Sequence, residues 1–433
     1  MGVMIHWRHV TLLGVAVTAA SIVLLVSLPV WADPPGDQNV DKSLQGSSPQ
    51  EQKGKAEFED KVTGDWCGER LRLKEAGISI DAHLVLEGFK NFRGGLNTSP
   101  PEGAFTLDLN LALDTEKLFG WHGGKFYADF EVHGGSNPTK SLVGDLQIFD
   151  NLNSSSYFQL YELWFQQKLF DGKLRLKVGK VDANTEFSVI DNGLDFMNSS
   201  SQVTPTLYVF PTTPAPMPSA NVFFTPNETC YAGFGAYYSN RSVNFGNFAG
   251  NPQDVQSSEN GVFLIGETGL QWRNAPIFKG GGNLKLGAWG HTGTFTRFDG
   301  SEKNGIQGYY VIFDQTLWQP DGESQEGRGL RTFFEYGRTQ KSVNAIYQHL
   351  GGGLAWTGPF ASRFQDVVGF GPQYAYISPA SGLPQPYELA LEMFYRLQVT
   401  RWTSIMTDMQ YIINPGGQYP DAVVGTIRWT MNF

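Results

Sequence analysis

Acidic and basic side chains recur in this chain at every second position, with apolar residues between them. Glu388, Glu392 and Arg396 alternate with Leu389, Leu391, Met393, Tyr395 and Leu397. Asp129 and Glu131 alternate with Ala128, Phe130 and Val132, and Arg175 and Lys177 with Leu174, Leu176 and Val178. A carboxylate pair such as Glu388 and Glu392 could serve glycoside hydrolysis, which needs its two carboxyls roughly 5–9.5 Å apart. Four residues along a strand span about 13–14 Å, which is too far. His83, His122, His133, His291 and His349 supply candidate bases, yet neither a G-x-S-x-G elbow nor an H-E-x-x-H helix accompanies them. The pattern suits a different task. Carboxylates accept and ammonium or guanidinium groups donate, so a wall carrying both offers a hydroxyl-rich solute both kinds of partner. Such a wall needs no cofactor and no metal.

The spacing itself says what positions these groups. A period of two is a strand, whose successive side chains point to opposite sides. From Tyr387 one face reads Tyr387, Leu389, Leu391, Met393, Tyr395, Leu397 and Val399. The last segment puts Val423, Ile427, Trp429, Met431 and Phe433 on one face and Thr426, Arg428 and Thr430 on the other. An apolar face ending on an aromatic suits a closed barrel that meets lipid, where an Arg or Lys near the midplane costs about 2–4 kcal/mol. The charges therefore face inward. That set is Asp108, Asp129, Glu131, Glu162, Arg175, Lys177, Lys285, Asp314, Arg331, Glu335, Glu388, Glu392, Arg396, Asp408 and Arg428. Arg175, Lys177, Arg331 and Arg396 are expected to face Glu162, Glu335, Glu388 and Glu392 in a mixed-charge lumen. Trp164, Trp289 and Tyr310 share the inward register and are candidates for covering the apolar face of a sugar. Trp272, Trp402 and Trp429 fall near strand ends, where an interfacial girdle sits.

Sixteen such strands are expected between 78 and 433, an all-β, antiparallel transmembrane barrel with both ends on one side. Ahead of it, residues 63–77 read as a short periplasmic helix, with Asp65 to cap and Gly77 to close. Residues 33–62 are rich in Gln, Ser, Pro, Gly, Lys and acids, with Phe58 the only aromatic, and read as a disordered tail or spacer. Residues 1–32 read as a signal peptide: Arg8, the apolar run Val10 to Val30, then Val30-Trp31-Ala32 as a cleavage site. Cleavage removes one positive charge, taking the net charge from −10 to −11. An exported chain this acidic is a poor nucleic-acid ligand. Cys67 and Cys230 could pair in an oxidising compartment, but free thiols are the simpler reading. Connectors alternate between long and short, and the longest, Asp182 to Ser219, holds five prolines from Pro205 to Pro218. A connector of that length in a compact fold is usually functional, and here it is expected to fold inward and narrow the channel.

Several segments, taken in order, resemble the carbohydrate-selective porins of the OprB type. They begin with Thr63-Gly64-Asp65-Trp66-Cys67-Gly68-Glu69-Arg70 and continue through Tyr161-Glu162-Leu163-Trp164 and Val178-Gly179-Lys180-Val181-Asp182-Ala183-Asn184. Phe196-Met197-Asn198-Ser199-Ser200 follows, then Asp314-Gln315-Thr316-Leu317-Trp318 and Asp366-Val367-Val368-Gly369-Phe370-Gly371. Glu392-Met393-Phe394-Tyr395-Arg396 and Gln410-Tyr411-Ile412-Ile413-Asn414-Pro415-Gly416-Gly417 complete the series. Cys67 departs from the family's usual glycine. The resemblance implies an outer-membrane barrel, a homotrimer, that passes sugars by diffusion. A general or ion-selective porin is the alternative; a secreted sugar-binding protein and an outer-membrane hydrolase are the remoter ones.

Overall fold

A computed structural model describes residues 57–239, 247–250, 260–274, 280–320 and 327–433. The leader and residues 33–56 of the expected tail lie outside the described residues. Sixteen strands, among the described residues, form the wall. They are β1 (Ile78–Arg93), β2 (Glu102–Asp114), β3 (Gly124–Gly135), β4 (Tyr157–Leu169), β5 (Leu174–Val181), β6 (Met217–Asn227), β7 (Cys230–Ser239) and β8 (Gly261–Trp272). The rest are β9 (Gly282–Thr296), β10 (Glu302–Trp318), β11 (Gly329–Thr339), β12 (Ile346–Thr357), β13 (Val367–Ile377), β14 (Tyr387–Thr400), β15 (Thr403–Ile413) and β16 (Ala422–Asn432). Each pairs antiparallel with the next, and β16 returns to β1 with Arg428 opposite Glu87 and Trp429 opposite Leu86. The barrel is closed, so it has no free edge. A further four-residue strand, Asn247–Gly250, pairs outside this ring with the start of β4.

The alternation in sequence becomes an alternation in exposure. On β9, Asn283, Lys285, Trp289, His291 and Phe295 are buried while Leu286, Ala288 and Thr294 are exposed. Leu109, Phe130, Leu163, Val178, Phe234, Phe370 and Ile427 lie exposed on the outer face, where lipid takes the place of a protein core. Chain reversals at one end are tight, as at Glu228–Thr229 and Arg401–Trp402, and β1 begins and β16 ends there. One of these reversals carries a helix that the alternation does not reveal, α2 (Thr115–Phe119), capped by the Asp114 carboxylate on the Glu116 and Lys117 N–H groups.

The short N-terminal helix, α1 (Glu69–Glu75), lies at the seam between β1 and β16. Asp65 holds it by accepting from the Leu71 N–H at 2.9 Å. Arg70 is the clasp. Its guanidinium donates to Ile80 O, to the Asp81 carboxylate and to the carbonyl of Phe433, at 2.8–2.9 Å. It lies 4.9 Å from the ring centroids of both Phe58 and Trp66. Residues 57–62, read from composition as the end of the tail, are therefore placed against the barrel: Phe58 is buried, and the Val62 N–H donates to Asn432 O at 2.8 Å. Cys67 and Cys230 are free thiols, the first exposed and the second half-buried.

Candidate functional site

The connector between β5 and β6 enters the barrel, and wall carboxylates hold it by its backbone. The Asp182 N–H donates to Glu162 and the Ser188 N–H to Glu267, both at 2.9 Å. Asp191 and Asn192 donate to Asp314 at 3.3 and 2.8 Å. Met197 and Asn198 donate to the two oxygens of Glu392 at 2.6 and 3.1 Å. The β3–β4 connector is held alike, with Leu146 and Gln147 donating to Glu388 at 2.8 and 2.9 Å, and Gly416 of the β15–β16 connector adds a bond at 2.6 Å. An N–H bonded to a carboxylate contributes about 1.5–3 kcal/mol. A buried carboxylate in turn needs such donors to offset its lost hydration. Loop and wall satisfy each other.

Apolar packing completes the attachment. Phe187, Ile190, Phe196 and Met197 are fully buried, and Phe196 meets Phe333 and Phe394 edge-on at 5.4 and 5.0 Å. Inward glycines make the seat. A β-carbon at Gly353 or Gly371 would come within 2.7–2.8 Å of the Phe196 ring, and one at Gly337 within 2.3 Å of the Thr204 and Thr206 hydroxyls. The loop thus fills the side of the barrel lined by β6 to β14 with a dry core. On the side lined by β16 and β1 to β5, inward groups toward the tight-turn end reach water, among them Asp81, at 44% side-chain exposure, and His83, at 39%, whereas Glu87, Phe89, Glu131 and Glu162 are buried.

The edge of the loop that reaches water is charged. Asp195 takes Arg331 on one oxygen at 2.9 Å and Arg396 on the other at 2.6 Å. Both guanidinia remain about a third exposed, against 12% for Asp195. Glu186 pairs with Arg175 at 2.7 Å and with Lys177. The Lys177 ammonium sits 4.0 Å from the Trp164 ring centroid, and Trp164 stacks on Tyr127 with centroids 4.8 Å apart. Toward the loop end, Arg428 bridges Glu87 at 2.6 Å, Asp150 at 3.2 Å and Asn151 at 2.7 Å.

This arrangement corrects the expected pairing. The four bases do not meet Glu162, Glu335, Glu388 and Glu392 across a lumen; they meet Glu186 and Asp195 on the loop. Glu162, Asp314, Glu388 and Glu392 grip backbone N–H groups and are at most 6% exposed. Glu335 is fully buried, with the His349 imidazole 3.7 Å away. Trp289 points inward but lies beneath the loop, stacked on Phe263 at 5.4 Å, and Tyr310 is buried with its hydroxyl donating to Glu267 at 2.7 Å. Of the predicted set, Trp164, Arg175, Lys177, Arg331 and Arg396 gather at the loop edge. Glu186, Asp195 and Glu267 were not anticipated. One signal was available for the first two: residues 182–219 contain four acids, Asp182, Glu186, Asp191 and Asp195, and no Lys or Arg. A loop of one sign needs counterions, and the wall had them.

An inward-folded connector inside a closed barrel with an apolar outer face is the arrangement of an outer-membrane diffusion channel. The sequence profile of the carbohydrate-selective porin, OprB family, matches residues 103–433, and the chain belongs to that family. It is 24% identical over 420 residues to Porin B of Pseudomonas aeruginosa, covering 85% of this chain and 90% of that protein. It is 23% identical over 426 residues to the putative porin QuiX of Acinetobacter baylyi, covering 86% and 93%. Among solved structures, OprB of Pseudomonas putida at high pH superposes with a TM-score of 0.75 at 21% identity, covering 86% of this chain and 98% of that one. The same protein at low pH gives a TM-score of 0.58 at 20% identity. The chain is a carbohydrate porin, a channel of the bacterial outer membrane.

Proposed function

We propose that mono- and small oligosaccharides cross passively between the loop edge and the wall formed by β16 and β1 to β5, driven by their own gradient. The narrowest, selecting surface is formed by Arg331, Arg396 and Asp195, with Arg175, Lys177, Glu186 and Trp164 beside it. One observation carries this reading. Two partly exposed guanidinia share a single carboxylate, so fixed donors face water with half of their charge neutralised. Fixed donors and acceptors replace the hydration of hydroxyl groups. The protein is exported with its leader cleaved after Ala32 and assembles as a homotrimer, the state that the family resemblance implies.

Liposome swelling with the purified protein tests the channel. Neutral mono- and disaccharides should enter faster than amino acids of similar size, and Arg331→Gln with Arg396→Gln should narrow the difference. Equal rates for all small solutes would make it a general porin instead. Mass measurement in detergent tests the trimer.

A further inference from the structure

A cavity of about 500 Å³ opens at the loop end of the barrel, between the β5–β6 connector, the β3–β4 connector and the reversal at Val343–Ile346. Among the described residues lining it there is no Asp, Glu, Lys, Arg or His. That is unusual in a barrel whose lumen is so heavily charged. Its apolar surface includes Tyr208, Phe210 and Phe298. Its polar groups are fixed amides: Asn184 donates to Phe187 O and Ser188 O, and Gln202 accepts from Asn151 at 3.1 Å. The same Asn151 accepts from Arg428 at 2.7 Å, so the cavity adjoins a charged group of the lumen.

Resting on the channel reading above, we propose that this cavity is an outer capture site for neutral, hydroxyl-rich solutes, and that it sets a preference for neutral over ionised sugars before the charged edge is reached. A pocket of this size, mostly apolar with a few fixed polar groups, is of the kind that holds small molecules. A pyranose brings apolar ring faces and hydroxyl edges, which the aromatic and amide groups match. A carboxylate or ammonium on the sugar must shed water where no counterion waits, and that costs free energy. The discrimination is against charge of either sign. This distinguishes it from attraction or repulsion by the arginine pair, which would treat the two signs oppositely.

The test is efflux of labelled glucose, glucuronate and glucosamine from proteoliposomes. Glucose should leave about tenfold faster than both ions, equivalent to about 1.4 kcal/mol of differential cost. Phe298 is 40% exposed, so Phe298→Arg can be accommodated without repacking a core. That variant should speed glucuronate and slow glucosamine relative to glucose, while Phe298→Leu leaves both ratios unchanged; unboiled gel mobility checks that each variant is folded. Glucose, glucuronate and glucosamine leaving the wild type at equal rates would overturn the capture site while leaving the channel standing. So would a folded Phe298→Arg that shifts neither ratio. Failure of glucose itself to leave would overturn the channel reading.

Discussion

Removing the Glu392 carboxylate should widen the pore. Glu392 is fully buried and accepts from Met197 at 2.6 Å and Asn198 at 3.1 Å, just beyond the tip where Asp195 meets its two arginines. In Glu392→Ala both buried N–H groups lose their acceptor, at about 1–3 kcal/mol each, so loop attachment weakens by about 2–6 kcal/mol. Glu392→Gln keeps one acceptor oxygen but points an amide N–H at the second donor, and should cost roughly half as much. The connector remains tethered at Glu162, Glu267 and Asp314, so the barrel persists while the tip lifts from β14. Swelling rates for glucose and for raffinose report this directly. The ratio of raffinose to glucose should rise in the order wild type, Glu392→Gln, Glu392→Ala, with thermal unfolding falling in the same order. An unchanged raffinose ratio in a folded Glu392→Ala barrel would refute the claim that this carboxylate holds the constriction.

Four further outcomes are expected. Asp195→Asn leaves Arg331 and Arg396 without their shared counterion, so reversal potentials in a salt gradient should shift toward anions; stability should fall by only about 1–2 kcal/mol because both guanidinia reach water. Asp145, in the β3–β4 connector, has its carboxyl pushed up to about 6 by burial, despite bonds that favour the ionised form. Its folded state binds the proton more tightly than the unfolded chain, so its contribution is full below about pH 4 and is lost as pH rises through 6; melting temperatures measured across that window should lose this slope in Asp145→Asn. Arg70→Ala strips three carbonyl or carboxylate oxygens of a charged donor and should destabilise the barrel by about 3 kcal/mol or more, seen as a lower melting temperature. A polymer-linked maleimide too large for the pore should label exposed Cys67 only after the outer membrane is permeabilised, and labelling in intact cells would reverse the assigned orientation.

The wall was legible in the sequence because lipid outside and water or polar loop inside force an alternation along most of each strand, broken at bulges such as the one that buries both Tyr161 and Glu162. Even short β5 shows it, with Leu174, Leu176 and Val178 against Arg175 and Lys177. The interior was legible only by side and not by partner. Alternation places Glu392 and Arg396 on one face, but cannot say that one will bind backbone N–H groups and the other Asp195, since those partners lie about 200 residues away in a connector with no period. The dry half was hidden for a related reason. Phe333, Phe394 and Trp289 sit in the inward register beside charged residues, and only the loop's own Phe187 and Phe196 show that these rings pack against something. The inward glycines Gly337, Gly353 and Gly371 were the overlooked trace of it: missing side chains on the polar face of three neighbouring strands leave room for a guest. Helix α2 escaped because five residues are too few for a helical period to register.

Arg70 and Phe433, joined at the seam, are 363 residues apart in sequence, whereas most of the strand pairings link neighbours in the chain. For a free chain, bringing such distant residues together costs roughly 5 kcal/mol of closure entropy, from 1.5RT ln 363. Successive hairpins shorten the gap cheaply, each adding one strand to the last, so nearly all of the wall can form before that cost is met. That cost falls on the seam, the contact that a truncation of β1 or β16 would change. Arg70 fastens the ring at that junction, its guanidinium lying over Phe58 and Trp66 and donating across to Phe433.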